Sequence, residues 1–317
     1  MISVIIPIRN GADTIGLCLD ALEGSDFASF EVIVVDDGSV DGSAGIVEGH
    51  PVTLIRLPSH MGAGAARNAG TRVAKGEALL FIDSDCLVLF DTISTAARLY
   101  GARPSDALGG TYTPMPYERD FFSVFQSVFI NYNETRLAEP DYIAAHALLI
   151  GRETFLRSGG FPESFLPIIE DVELSHRLRR SGVALMAVPE LMVRHVFRFT
   201  LLKSLKNAYR KSKFWTMYSL EHRDLHRDSG TASMGLKVDV LCWCACAAML
   251  ALGWYAIATV VLALNAFINR GLLQSFFKFG CAWFGIRATL YYLAIYPLPV
   301  GLGGIDGVLR RRPCTPR

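Results

Sequence analysis

The 317-residue chain has almost no net charge: 31 Lys and Arg stand against 30 Asp and Glu, for +1 at pH 7. With no global positive field and no recognised binding motif, nucleic acid is not expected as a partner. None of the seven cysteines (Cys18, Cys86, Cys242, Cys244, Cys246, Cys281, Cys314) forms a C-x-x-C pair, which argues against a zinc ribbon or a dithiol centre. Three of them alternate inside an apolar run and read as small apolar side chains. No internal repeat is present. The opening "MISVIIPIRN" lacks a basic n-region, so it reads as a strand and not as a targeting segment. Two stretches lack charge altogether, the 29 residues Val240–Ile268 and the 18 residues Ala288–Ile305. Both reach the length of a membrane span. They carry much of the 51% hydrophobic content, which is high for a soluble enzyme.

Strand-like and helical stretches alternate through the first hundred residues. "ISVIIPI" (2–8), "FEVIVVD" (30–36), "VTLIRL" (52–57) and the apolar run ending at Ile82 read as strands, with helical patterns at 14–23 and 62–75 between them. Such alternation predicts a parallel sheet with crossover helices. In these sheets ligands bind beyond the carboxyl ends of the strands. Two acid pairs lie at such ends: Asp36 and Asp37 in "DDGS", and Asp83 and Asp85 in "LLFIDSDC". Carboxylates this close repel one another, and a divalent cation between them, Mg²⁺ or Mn²⁺, would relieve the repulsion. An isolated D-x-D can also be no more than a strand end and a helix cap.

Farther on, 106–112 and 142–152 look like strands, and 117–138 looks like an amphipathic helix with Phe121, Phe122, Phe125, Phe129 and Tyr132 on one face. "EDVELSHRLRRSG" (170–182) is a helix opened by acids and closed by basic residues and Gly182, as the helix dipole favours. Residues 184–196 are strand-like, with a break at Pro189. Residues 198–227 hold eight Lys and Arg against two acids, interleaved with leucines and aromatics. Ahead of a membrane span, this predicts an interfacial helix on an anionic leaflet. Basic residues Arg310–Arg312 follow the second apolar run, so both ends of a hairpin are expected in the cytoplasm, although Arg270 and Lys278 in the connection weaken this assignment.

Six stretches in one order, "ISVIIPIRN", "VIVVDDGSVDGS", "GAGAARNAG", "LLFIDSD", "LLIGRETFLRSGGF" and "EDVELSHRLRRSG", resemble the family 2 glycosyltransferases of GT-A fold. The resemblance covers about residues 2–197. It implies an α/β fold with a Rossmann-like nucleotide-sugar-binding sheet, and an inverting transfer from a nucleotide-sugar donor to a lipid-linked or cell-envelope saccharide acceptor. By the family pattern Asp85 is the direct metal ligand, and Asp83 shares the metal or approaches the ribose. His195 is a third metal ligand, and Asp36, Asp37, Pro7 and Arg9 line the nucleotide slot. Arg67 offers donors to the pyrophosphate or base, and Asp171 is the general base. Glu170 and Gly160 belong to the second shell or the acceptor side. The implied organisation is a catalytic domain over 1–197, a basic interfacial helix and linker over 198–236, a two-helix membrane hairpin over 237–309 and a basic tail over 310–317. The implied location is the inner (cytoplasmic) membrane, with the catalytic domain facing the cytoplasm.

Three rivals differ in what they require. A polyprenyl-phosphate glycosyltransferase has an acceptor that is already ionised and needs no strong base. A nucleotidyltransferase would need a Gly-rich N-terminal loop, which "IPIRNGADT" matches poorly. A non-catalytic nucleotide-sugar-binding membrane scaffold would have no use for Asp171.

Overall fold

The computed structural model describes residues 1–163, 168–225 and 227–310; the expected basic tail beyond Arg310 lies outside these. The chain divides into two compact units. The first holds residues 1–118, 134–163 and 170–197. The second holds 119–133, 168–169 and the described residues from 198 onward.

The first unit is built on β1 (Ile2–Ile8), α1 (Ile15–Glu23), β2 (Phe30–Asp36), α2 (Ser43–Val47), β3 (Thr53–Arg56), α3 (Ala63–Val73), β4 (Ala78–Ile82), β5 (Cys86–Val88), α4 (Thr92–Ala102) and β6 (Ala107–Tyr112). After α5 (Phe121–Thr135) come β7 (Ala147–Gly151), α6 (Arg152–Arg157), α7 (Glu170–Arg180) and β8 (Leu185–His195). The eight strands form one sheet in the order β3-β2-β1-β4-β7-β6-β8-β5. β1 to β4 are parallel, as the alternation predicts, whereas β7 runs antiparallel to both β4 and β6. After β3 the chain crosses to the far side of β1 to add β4, and a crevice at this β1–β4 switch point is the expected ligand site. The β1–β4 ladder ends at Ile5–Phe81, short of Pro7, so the missing N–H of Pro7 costs no bond on that side.

Small residues set how closely α3 approaches the sheet. A Cβ at Gly70 would lie 2.6 Å from Ile5 Cγ2. Under the switch point Phe81, Phe155 and Phe161 meet with ring centroids 5.1–5.4 Å apart. β8 is one strand through Pro189, but its pairing with β6 slips there, from Gly109–Ala187 to Thr111–Met192. The proline thus sits where the ladder is already interrupted.

The second unit is helical: α5 with α8 (Leu201–His222), α9 (Met234–Ala251), α10 (Tyr255–Ile268), α11 (Arg270–Phe279), α12 (Ala282–Leu290), a π-helical turn (Tyr291–Ile295) and α13 (Pro297–Leu309). Met234–Ala251 and Ala282–Leu309 are long and apolar enough to cross a membrane. The uncharged run 240–268 is not one helix. It breaks after Ala251, where Gly253 takes φ +74° and the N–H groups of Gly253 and Trp254 bond back to Leu250 and Met249. A glycine-terminated helix end of this kind satisfies the last carbonyls and reverses the chain. α10 and α11 are bent by 67°. The expected two-helix hairpin therefore contains more turns than the charge pattern indicates, because only a charge, not a glycine turn, interrupts an uncharged run.

Candidate active site

The site grows from the carboxyl ends of β2 and β4. Asp36 ends β2 and accepts a 2.9 Å bond from Ser39 N, closing an Asx-type turn. Asp37 is buried, and its oxygens accept from Met61 N (2.6 Å), Gly62 N (2.9 Å) and the His60 ring (2.7 Å), so the carboxylate holds the loop that opens α3. Pro7 is half-buried and Arg9 exposed, both at the end of β1.

Arg67, on α3, is buried and bridges two motifs. Its Nη2 donates to Asp83 Oδ1 at 2.7 Å and its Nη1 to Glu170 Oε1 at 3.1 Å. The guanidinium also sits 5.2 Å from the Phe161 ring centroid. Each amino group donates to a carboxylate, so Arg67 clamps "FIDSD" to "IIEDVE". Burial pushes the Asp83 carboxyl up, but Arg67, followed by His146, outweighs it and holds Asp83 below its usual range.

Asp85 turns the other way. Its Oδ2 is 3.4 Å from His195 Nε2, and side-chain exposure is 41% at Asp85 against 12% at His195. Cys86 and His195 are register partners across β5 and β8, so their side chains share a face. Ligand atoms of Asp85, Cys86 and His195 lie within 4.8 Å of one another. A carboxylate and an imidazole on a partly open edge could hold a divalent cation, and the imidazole favours Mn²⁺ over Mg²⁺; Cys86 is a buried neighbour whose thiol is pushed far up by burial and then by Asp85. Asp83, expected to share the metal, is not among this group.

Asp171 opens α7 beside Glu170. Burial, then the Glu170 charge, raises its carboxyl to about 7, against the lowering pull of Arg67 and a 2.9 Å bond from Val172 N. A carboxyl poised near 7 suits general-base work. Gly160 takes φ +70°, and a Cβ there would lie 2.6 Å from Asn68 Oδ1. Asn68 in turn receives Phe161 N (2.9 Å) and donates to Phe161 O (2.8 Å). Gly160 therefore shapes the turn ahead of α7.

Three further residues, Tyr112, Glu134 and His146, gather beside these groups without lying in any of the six sequence stretches. In the structure Tyr112 stacks on His146 (4.0 Å) and meets His195 edge-on (4.8 Å), and His195 stacks on Phe197 (3.8 Å). Glu134 Oε2 is 3.4 Å from His146 Nε2 and accepts from Thr111 Oγ1 at 2.8 Å. His146 also pulls down the carboxyls of Asp83 and Asp171, behind burial and the Arg67 charge. The available signal was its place directly before the β7 apolar run. His176 Nε2 pairs with Asp141 Oδ2 at 3.1 Å.

Comparison with known proteins accords with this geometry. The sequence model of Glycosyl transferase family 2 matches residues 3–149. Among relatives, the glycosyltransferase GlyG of Streptococcus pneumoniae is 32% identical over 117 residues, covering 35% of this chain and 39% of that one. The poly(ribitol-phosphate) beta-N-acetylglucosaminyltransferase TarS of Staphylococcus aureus is 37% identical over 113 residues, covering 33% of this chain and 20% of that one. The chain thus spans less than half the length of either relative. The mannosyltransferase PcManGT of Pyrobaculum calidifontis, solved with GDP-Man and Mn²⁺, superposes with a TM-score of 0.60 over 98% of this chain and 88% of its own, at 19% identity, a likeness of fold. The family 2 model thus covers the stretches from β1 to β7, up to residue 149, and over that part the chain is similar to the family 2 glycosyltransferases, on a sheet of GT-A fold.

Proposed function

We propose that the protein is a membrane-bound, metal-assisted inverting glycosyltransferase that moves a sugar from a nucleotide-sugar donor to a hydroxyl of a lipid-linked or cell-envelope saccharide, at the cytoplasmic face of the inner membrane. The observation that carries this reading is the Arg67 bridge. It links Asp83 to Glu170, next to Asp171, so the diphosphate end and the base end of the crevice share one electrostatic unit. Asp36 and the β1 end, with Pro7 and Arg9, flank the slot for the nucleoside. Asp85 and His195 would hold the metal, which stabilises the charge that develops on the leaving diphosphate. Asp171 takes the proton of the acceptor hydroxyl as its oxygen attacks the anomeric carbon from the side opposite the diphosphate. Glu170 keeps the Asp171 carboxyl basic by repulsion, and Arg67 limits that repulsion. The TarS relative, named for action on poly(ribitol-phosphate), supports a cell-envelope acceptor.

The test is Mn²⁺ affinity by isothermal titration, with and without a nucleoside diphosphate. Asp85→Ala and His195→Ala should each weaken binding at least tenfold. Wild-type affinity in both variants would overturn the metal assignment.

A further inference from the structure

Hydropathy alone makes Ala282–Leu309 a candidate span, but its packing points elsewhere. α8 runs beside it in the same direction, from Ser204, whose Oγ receives the Tyr291 hydroxyl at 2.9 Å, to Lys213, whose Nζ is 2.7 Å from Asp306. Glycines make the approach close: a Cβ at Gly307 would lie 2.6 Å from Lys213 O, and Gly303 rests on Tyr209 O. Ser212 Oγ also donates to Val300 O at 2.7 Å. The two helices are therefore locked side by side over Ser204–Lys213 of α8, roughly 14 Å of helix. Along that length the face of α8 turned away from α13 carries Lys203, Lys206, Arg210 and Lys211, all exposed. Were Ala282–Leu309 upright in a bilayer, these cations, spread over roughly 12 Å of α8 beside it, would face hydrocarbon, and charges there are costly and rare.

The outer face of the 282–309 helix is an apolar stripe: Trp283, Leu290, Leu298, Leu302, Ile305 and Leu309 are 46–78% exposed. The π turn at Tyr291–Ile295 takes in one extra residue, worth about 100° of rotation, and so keeps the two halves of the stripe on one side. An apolar stripe along one helix, flanked by a basic row along its partner, is the pattern of an interfacial element on an anionic leaflet.

Resting on the membrane-bound reading, we infer that α8 and α12–α13 lie together in the plane of an anionic membrane surface, that Ala282–Leu309 does not cross it, and that the α9–α10 hairpin is the inserted element. The occupant of the apolar stripe is the acyl-headgroup boundary of that leaflet, and the basic row of α8 lies at the level of the lipid phosphates.

Sidedness tests this on the full chain in sealed vesicles of phosphatidylcholine and phosphatidylglycerol. Two single-thiol variants are compared, one keeping Cys281 alone and one carrying Leu309→Cys alone, with an impermeant maleimide added outside or trapped inside. Labelling of both from the same side is expected. Labelling from opposite sides would overturn the inference. A spin label at Leu298→Cys is an independent measure: collision depth near the phosphates is expected, whereas depth at the bilayer centre would overturn it. Far-UV circular dichroism establishes that each variant is folded. Neither readout depends on sugar transfer, so failure here leaves the glycosyltransferase reading standing, and loss of transfer leaves the sidedness result intact.

Discussion

Arg67 and Asp171 set the chemistry at the scale of single residues. Arg67→Met leaves Asp83 and Glu170 without their shared cation. Both acids are partly solvated, with side-chain exposures of 34% and 18%, so the loss falls below that of a fully buried pair. A decrease of about 1–3 kcal/mol in unfolding free energy is expected by urea titration. Arg67→Lys should not restore it, because one ammonium cannot reproduce the planar fork that reaches two carboxylates. Asp171 gives a pH prediction with a definite sign. Its carboxyl is raised to about 7, chiefly by burial and then by Glu170. A base works only when ionised, so kcat/KM should fall tenfold per pH unit below about 7 and level off above it. Asp171→Asn should lower kcat by about 10²–10⁴-fold while donor affinity stays within a few-fold. A pH-independent rate, or a variant that retains its activity, would favour an acceptor that is already ionised, such as a polyprenyl phosphate. Gly160→Ala would force a Cβ onto Asn68 Oδ1 at a positive φ, with an expected loss of about 1–3 kcal/mol by thermal unfolding.

Element by element, the sequence exposes what is periodic and conceals what is relational. β1 to β4 and α7 were legible because apolar runs, acids at strand ends and the charge gradient of "EDVELSHRLRRSG" are local signals. Motif order singles out Asp85, His195 and Asp171 as site candidates, and the structure brings Asp85 and His195 to 3.4 Å. The commitment of Asp37 to the 60–62 loop was not legible, since it depends on backbone N–H groups more than twenty residues away. Nor was the Arg67 bridge, which joins residues 103 apart. The stack of His146, Tyr112, His195 and Phe197 draws on β6, the approach to β7 and the end of β8, so no single window contains it. The break at Gly253 was hidden because the run around it is uniformly apolar. The glycine contacts of α13 give a prediction at this scale. Gly307→Leu would push α13 off Lys213 O and cost about 1–3 kcal/mol, read as a lower midpoint of thermal unfolding in detergent, while Ile305→Leu on the exposed stripe should be neutral.

At the scale of the whole molecule, the chain carries a GT-A unit and a helical unit in which two helices are long and apolar enough to cross a membrane. Its central claim is that Asp85 and Asp171 serve one transfer reaction at the β-strand ends. The most direct test is transfer and hydrolysis by the purified full chain against a panel of nucleotide sugars, with Mn²⁺, with Mg²⁺ and with chelator, beside Asp85→Ala and Asp171→Asn. Turnover of one donor only when metal is present, lost in both variants while Asp171→Asn still binds that donor, is the predicted result. No donor bound by the wild-type chain even with metal would contradict the account and leave the acids of "FIDSD" as strand-end caps on a membrane scaffold.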